Sequence, residues 1–286
     1  MHVSDVKLDQ LLARPLKLAF FDIDGTLLGL DGNYSNRLAE AIAGVQALGV
    51  KTAVASGRPK FAANFLIDEL NLTAAGCFCT GAHLEDPADG LPLVQYSLSP
   101  SLVERLLSAA STLGVYTELC FRDDFFVEQW PHIGQLHSEH LRAVPTQVES
   151  LSSLTHSAPV LKLLFAVTDK SQHELLYQLE RDFPDAVFAY AKMAAKPDWL
   201  FVSVISDKGC KRKGFQQLLD YHGVEAEQTI AFGDAQSDKI FLELAGVGVA
   251  MGNATGDVKA VANLETLPVW EDGVAVVLER YASIHG

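Results

Sequence analysis

Basic residues are scarce in this chain. Lysine and arginine number 22 against 36 aspartates and glutamates, leaving a formal charge of −14. A protein without a basic face does not hold nucleic acid or an anionic membrane surface in a general way. Any phosphate it binds must be held locally, by a few well-placed cations, by backbone N–H groups or by a metal ion. Cysteine is also scarce: Cys77, Cys79, Cys120 and Cys210 are the four. They make no disulfide framework. Cys77 and Cys79 share one face of an expected strand and read as buried thiols rather than a zinc site. This usage fits a reducing compartment, so the expected location is cytoplasmic. No apolar run reaches the roughly 18 residues needed to span a membrane. The start, Met1-His-Val-Ser-Asp-Val, lacks the basic segment and apolar core of a secretory signal. Neither an internal repeat nor a low-complexity segment is present.

What is present suits a packed core. The 286 residues are 49% hydrophobic and 20% charged, enough for one large domain or two. Leu16–Phe21 is an apolar run broken only by Lys17, as in a strand buried on both faces. Helical spacing follows over residues 36–48, with Gly49 as a C-terminal cap. A strand is expected at Lys51–Ala55, a helix from Pro59 to about Leu70, and a strand at Gly76–Thr80. Strand, helix, strand, helix, strand indicates a doubly wound parallel sheet.

The pattern then changes. Residues 84–100 read as a connector or hairpin, and 101–192 alternate in an α+β manner, with strong strands at Leu161–Val167 and Leu200–Val204. The doubly wound rhythm resumes with a helix at 211–222 and strands at Thr229–Phe232 and Val247–Ala250. The middle segment is therefore inserted rather than appended. The expected organisation is an α/β core from residues 1–84 and 193–286, interrupted by an α+β domain at 85–192.

In an open parallel sheet, ligands bind outside the carboxyl ends of the strands. Those ends carry Asp22 and Asp24, Ser56 and Gly57 with Arg58 beyond them, Asp234 and Asp238, and Asn253. Carboxylates gathered on one edge repel unless a cation sits among them. Oxygen ligands without histidine or cysteine suit a hard ion, with Mg²⁺ the default. Ser56 and the N–H groups around Ile23, Asp24 and Gly57 could hold phosphate oxygens, and Lys213 could supply positive charge. Asp22 would attack phosphorus, and Asp24 would serve as acid and then base. Each residue also has a plainer reading alone. Asp-x-Asp-Gly resembles the start of a calcium loop, Ser56 and Asp238 could cap helices, and Lys213 could be a solvated lysine. Those readings do not explain the common placement on strand ends.

Asp22-Ile-Asp-Gly-Thr-Leu-Leu, Ala55-Ser-Gly-Arg, Lys213-Gly and Gly233-Asp-Ala-Gln-Ser-Asp resemble, in order, the four motifs of the haloacid dehalogenase-like phosphatases. The tail, Ala245-Gly-Val-Gly-Val-Ala-Met-Gly-Asn-Ala and then Glu271-Asp-Gly-Val-Ala, is similar to the Cof-type branch. The resemblance spans about residues 16–280. It implies a Rossmann-like core with an inserted cap that covers the site. It implies Mg²⁺ held by the side chains of Asp22 and Asp234 and the carbonyl of Asp24, with Asp238 supporting the metal's water shell. Ser56, Gly57 and Lys213 would bind the phosphoryl group. Ser237 stands where relatives often place Asn against the phosphate, and Asn253 is a further candidate. Lys208, which also precedes a glycine, is the alternative to Lys213. Ala235 and Thr80 depart from the family pattern.

The implied activity is Mg²⁺-dependent hydrolysis of a small phosphorylated metabolite, with neither nucleic acid nor membrane as partner. The alternatives are a phosphomutase-type transfer and a phospholigand-binding protein without turnover. Arg122, Trp130 and Lys192 are candidates for substrate selection in the inserted domain, and His137 and His140 read as surface histidines.

Overall fold

A computed structural model describes residues 5–193 and 196–286. Two compact units divide the chain. One holds the segments up to Gly57, Asn64–Leu93 and Lys211–Gly286, and the other holds Arg58–Ala63 and Val94–Cys210.

The first unit is built on a five-stranded sheet. Its order is Leu264–Glu265, Val247–Ala250, Thr229–Gly233, Leu18–Phe21, Lys51–Val54, and every pair is parallel. Leu18, Ala19, Phe20 and Phe21 are all buried, which explains why this strand is apolar throughout instead of alternating. The chain leaves it toward Lys51–Val54 on one side and later returns to Thr229–Gly233 on the other. The strand order therefore reverses beside Leu18–Phe21, and ligand crevices form at such a point. Phe21 aligns with both Phe232 and Val54, so Asp22, Gly233 and Ala55 leave the sheet side by side.

Helices Lys211–His222 and Lys239–Leu244 pack together on this sheet. Phe20, Phe215 and Phe241 meet there with ring centroids 5.1–5.6 Å apart, in tilted and edge-on arrangements. Helices Asn36–Ala47 and Gly273–His285 form a second pair.

The region after Lys51–Val54 differs from the expected parallel strand and single helix. A 3₁₀ turn at Lys60–Ala62 breaks the helix, which runs only over Asn64–Glu69. Gly76–Phe78 joins the parallel sheet through an Ala55–Cys77 bridge but turns back into an antiparallel pair with His83–Asp86. Cys79, Thr80 and Gly81 make that reversal, with φ of 48°, 57° and 105°. None of the four cysteines is in a disulfide, and Cys77, Cys79 and Cys120 are buried.

The second unit is a six-stranded sheet, ordered Ala186–Met193, Lys196–Ser206, Lys162–Val167, Tyr116–Cys120, Phe125–Val127, Thr146–Gln147. Leu163, Phe165 and Val167 share a core with Leu102, Val103 and Leu106 of helix Pro100–Leu113 and Leu176 of helix His173–Asp182. Leu164 and Ala166 face the other way and share a core with Ile133 of helix His132–Leu141. Both faces are covered, so the strand sequence Lys-Leu-Leu-Phe-Ala-Val has no polar alternation.

The structure corrects the expected boundaries of 85 and 192. Lys196–Ser206 pairs with both Ala186–Met193 and Lys162–Val167, so the chain returns to the first unit only at Lys211. Strand pairing, which residue patterns alone do not report, decides that boundary. The structure also corrects the surface reading of His137. It is buried, with Nδ1 2.8 Å from Oε1 of the fully buried Glu118. Among the described residues, no helix is long and apolar enough to cross a membrane.

Candidate active site

Asp22 is the first residue after the central strand. Its N–H donates to the Phe232 carbonyl at 3.1 Å, which continues the ladder and carries the side chain past the sheet edge. The next residues turn sharply. The Ile23 carbonyl accepts from the N–H groups of Thr26, Leu27 and Leu28, and the Gly25 N–H donates to the Leu28 carbonyl. Gly25 has φ of +81°, and a Cβ there would lie 2.4 Å from Asp234 Oδ2. Only glycine permits this turn to approach Asp234 so closely.

One carboxylate oxygen from each of Asp22, Asp234 and Asp238 lies within 4.8 Å of the other two. Asp238 is extensively engaged. Its Oδ1 accepts from Lys211 Nζ at 2.7 Å and from Ser237 Oγ at 3.2 Å. Its Oδ2 accepts from the N–H groups of Asp234 and Ala235 at 3.2 and 2.9 Å. Asp234 differs. Its Oδ2 accepts from Asn253 Nδ2 at 3.0 Å, while its Oδ1 is buried and has no hydrogen-bond partner among the described residues. A buried oxygen of this kind is costly unless a ligand completes it.

Electrostatics agree with the geometry. Burial, then the carboxylates of Asp238, Asp234 and Asp24, hold the Asp22 carboxyl well above the usual range, against the opposing pull of Lys211. Asp234 is pushed up to about 7, by burial and then by Asp238, with the Asn253 hydrogen bond opposing. Burial works against the charge on Lys211, but the carboxylates of Asp238 and Asp22 outweigh it and the net shift is upward. These residues fit a hard divalent cation, because the donors are all oxygens, they crowd one another, and one is a buried acceptor without a donor.

Lys211 is the buried cation of this cluster, and sequence reasoning missed it. The sequence reading puts Lys213 at the phosphate. The helix begins at Lys211, as the sequence suggests, but its buried face is Lys211, Gly214, Phe215, Leu218 and Leu219. That spacing is one helical stripe. Lys211 lies one turn before Phe215 and points inward, with its Nζ 5.8 Å from the Phe241 ring centre and 3.3 Å from the Ala55 carbonyl. Lys213 lies about 200° around the helix from it, on the exposed face. Extending the apolar stripe back by one turn from Phe215 would have found Lys211. Lys208, the other alternative, is exposed in the second unit.

The remaining expected residues divide. Ser56 is buried, with its N–H on the Cys77 carbonyl at 2.8 Å, and Gly57 lies beside Thr80. Ile23 is buried and Asp24 half-buried on the turn after Asp22. Ser237 turns its hydroxyl to Asp238. Arg58 is not gathered with the carboxylates. It belongs to the second unit, where its guanidinium donates to the Ala62 carbonyl and lies 3.4 Å from His140 Nε2.

A doubly wound sheet with acidic strand ends and a buried lysine suits a site that holds a cation and an anionic ligand together. The chain belongs to the haloacid dehalogenase-like hydrolases, a family that matches it over residues 19–278. It is 29% identical over 279 residues to 5-amino-6-(5-phospho-D-ribitylamino)uracil phosphatase YitU of Bacillus subtilis (strain 168), across 93% of this chain and 98% of that protein. A haloacid dehalogenase-like hydrolase from Bacteroides thetaiotaomicron superposes with a TM-score of 0.83 at 25% identity, covering 93% of this chain and 99% of its own. A subclass IIB sugar phosphatase of the superfamily superposes with a TM-score of 0.80 at 25% identity, covering 94% and 99%.

Proposed function

We propose that this chain is a Mg²⁺-dependent phosphatase of small phosphomonoesters, such as sugar phosphates or phosphorylated cofactors, and that it works through an aspartyl-phosphate on Asp22. The setting of Asp22 carries the reading. It is a buried carboxylate at the sheet's switch point, grouped with Asp234 and Asp238, with Lys211 held against Asp238. The names of two relatives, a phosphorylated ribityl compound's phosphatase and a sugar phosphatase, support the substrate class.

Asp22, Asp234 and the carbonyl of Asp24 would hold the cation, which supplies charge neutralisation and polarises a phosphoryl oxygen. Lys211 and the Ser56–Gly57 loop hold the phosphoryl oxygens. Asp22 forms a bond to phosphorus as the ester P–O bond breaks, and Asp24 gives its proton to the departing alkoxide. Water then attacks phosphorus, Asp24 takes its proton, and the bond to Asp22 breaks to release phosphate. Asp238 stays outside the chemistry and keeps Lys211 and the Asp234 loop in place.

The test is phosphate release with Mg²⁺ across sugar phosphates, nucleotides and phosphorylated vitamins. Wild type releases phosphate, Asp22→Asn releases none, and Asp24→Asn falls by about 10²–10⁴, the usual worth of a general acid–base. Hydrolysis at the wild-type rate in Asp22→Asn overturns the assignment. Isomerised substrate without released phosphate replaces hydrolysis with a mutase reaction.

A further inference from the structure

We propose that Asn253 is a positioning residue that sets the Asp234 carboxylate for its cation. The inference rests on the reading of the carboxylate cluster as a cation site. Asn253 follows the Val247–Ala250 strand, which neighbours the strand that carries Asp234. Its Nδ2 donates to Asp234 Oδ2 at 3.0 Å and to the Gly25 carbonyl at 2.9 Å. Its Oδ1 accepts from the Val269 N–H at 2.9 Å.

These partners determine the orientation of the amide. A backbone N–H can only donate, so the atom facing Val269 is the oxygen. A backbone carbonyl can only accept, so the atom facing Gly25 is the nitrogen. Both Nδ2 protons are thereby used, and the amide cannot flip without losing all three bonds.

The consequence falls on Asp234. With Oδ2 occupied by Asn253, the carboxylate cannot rotate to offer that oxygen elsewhere. Oδ1 is buried and without a hydrogen-bond partner among the described residues, and one oxygen of this carboxylate is grouped with Asp22 and Asp238. Asn253 therefore selects which oxygen is bare. The same amide ties this choice to Gly25, in the turn that follows Asp22. A loop tie alone would need only the bond to Val269. Hydrogen-bonded partners of metal-binding carboxylates typically change metal affinity by about 10- to 100-fold when removed.

The experiment is isothermal titration of metal-free protein with Mg²⁺, alongside the Mg²⁺ activation constant for hydrolysis of p-nitrophenyl phosphate. Asn253→Ala should weaken Mg²⁺ binding by about 10- to 100-fold and raise the activation constant by the same factor. Asn263→Ala is the control for general loss of order. Asn263 Oδ1 accepts from the Gly248 N–H at 2.6 Å in the same sheet, and among the described residues no hydrogen bond joins it to Asp234. That variant should keep wild-type Mg²⁺ affinity. If Asn253→Ala does not fold, Asn253→Ser, too short to reach both acceptors, is read in the same way. A folded variant at position 253 with wild-type Mg²⁺ affinity overturns the inference, as does an equal loss in Asn263→Ala. Wild type that binds no Mg²⁺ and hydrolyses nothing overturns the proposed function instead, so the two failures are distinct.

Discussion

Replacing Lys211 by methionine removes one charge from a buried cluster while keeping most of the side-chain stem. Met fills the same channel past Phe241, so little cavity is created and the effect is mainly electrostatic. Both members of the pair are almost wholly enclosed, with 3% of each side chain exposed and 2.7 Å between Nζ and Oδ1. Breaking a buried pair by removing one partner costs about 3–5 kcal/mol, since the other charge is left uncompensated. In a protein of this size that lowers the melting temperature by roughly 6–20 °C. Lys213→Met, on the exposed helix face, should stay within about 0.5 kcal/mol of wild type. Phosphate release should separate the two variants further. Losing a preorganised cation at the phosphoryl group costs about 10²–10³ in kcat, and Lys213→Met should keep wild-type turnover. The double variant Lys211→Met/Asp238→Asn should regain part of the lost stability, because the Asp238 carboxylate is no longer left buried without its partner, but none of the lost activity. Thermal unfolding followed by circular dichroism and a phosphate-release assay read both quantities. Equal effects at 211 and 213, or a larger one at 213, would refute the helix-phase argument.

Thr80 is a β-branched residue held at φ of 57°, in the left-handed region where such side chains are strained. Thr80→Asn should raise stability by about 0.5–1 kcal/mol, because Asn tolerates that region, and an unchanged or lower unfolding midpoint in urea would contradict it. His222 offers a pH test. Burial first, with a small contribution from Lys51, holds its pKa below the ordinary 6.5, and its Nε2 lies 3.2 Å from the Ala75 carbonyl. The folded state therefore binds that proton less readily than the unfolded chain. Its contribution is fully present above about pH 6.5 and is lost as pH falls through the folded value. His222→Gln should flatten the fall in melting temperature below pH 6.5 relative to wild type, and an identical pH profile would exclude this group as the cause.

Much of the site was legible in the sequence because parallel strands place their ends together. An apolar run such as Leu18–Phe21 ends abruptly, and the first polar residue after it stands at the sheet edge. The same reasoning applies to Asp234 after Thr229–Gly233, which is why two carboxylates far apart in the chain could be paired before the fold was known. Lysine is harder to place, because its apolar stem allows it to occupy either a solvated or a buried face. Three lysines cluster between residues 208 and 213; Lys208 precedes the helix, and the phase of the helix against Phe20 and Phe241 distinguishes Lys211 from Lys213.

His137 was misread for a related reason. A histidine at helical spacing looks exposed until its partner is known, and that partner, Glu118, lies on a strand 19 residues earlier. The return from the second unit was likewise hidden, because Lys196–Ser206 is apolar enough for either sheet and its pairing with Lys162–Val167 decides the matter. By itself the sequence determined the strand ends, the acidic character of the site and the family, since each depends on residues near one another or on a repeated order along the chain. The tertiary structure alone decided which lysine pairs with Asp238, which oxygen of Asp234 is left bare and where the inserted unit ends. Those depend on contacts between segments up to about two hundred residues apart, and a linear pattern carries no record of which face meets which.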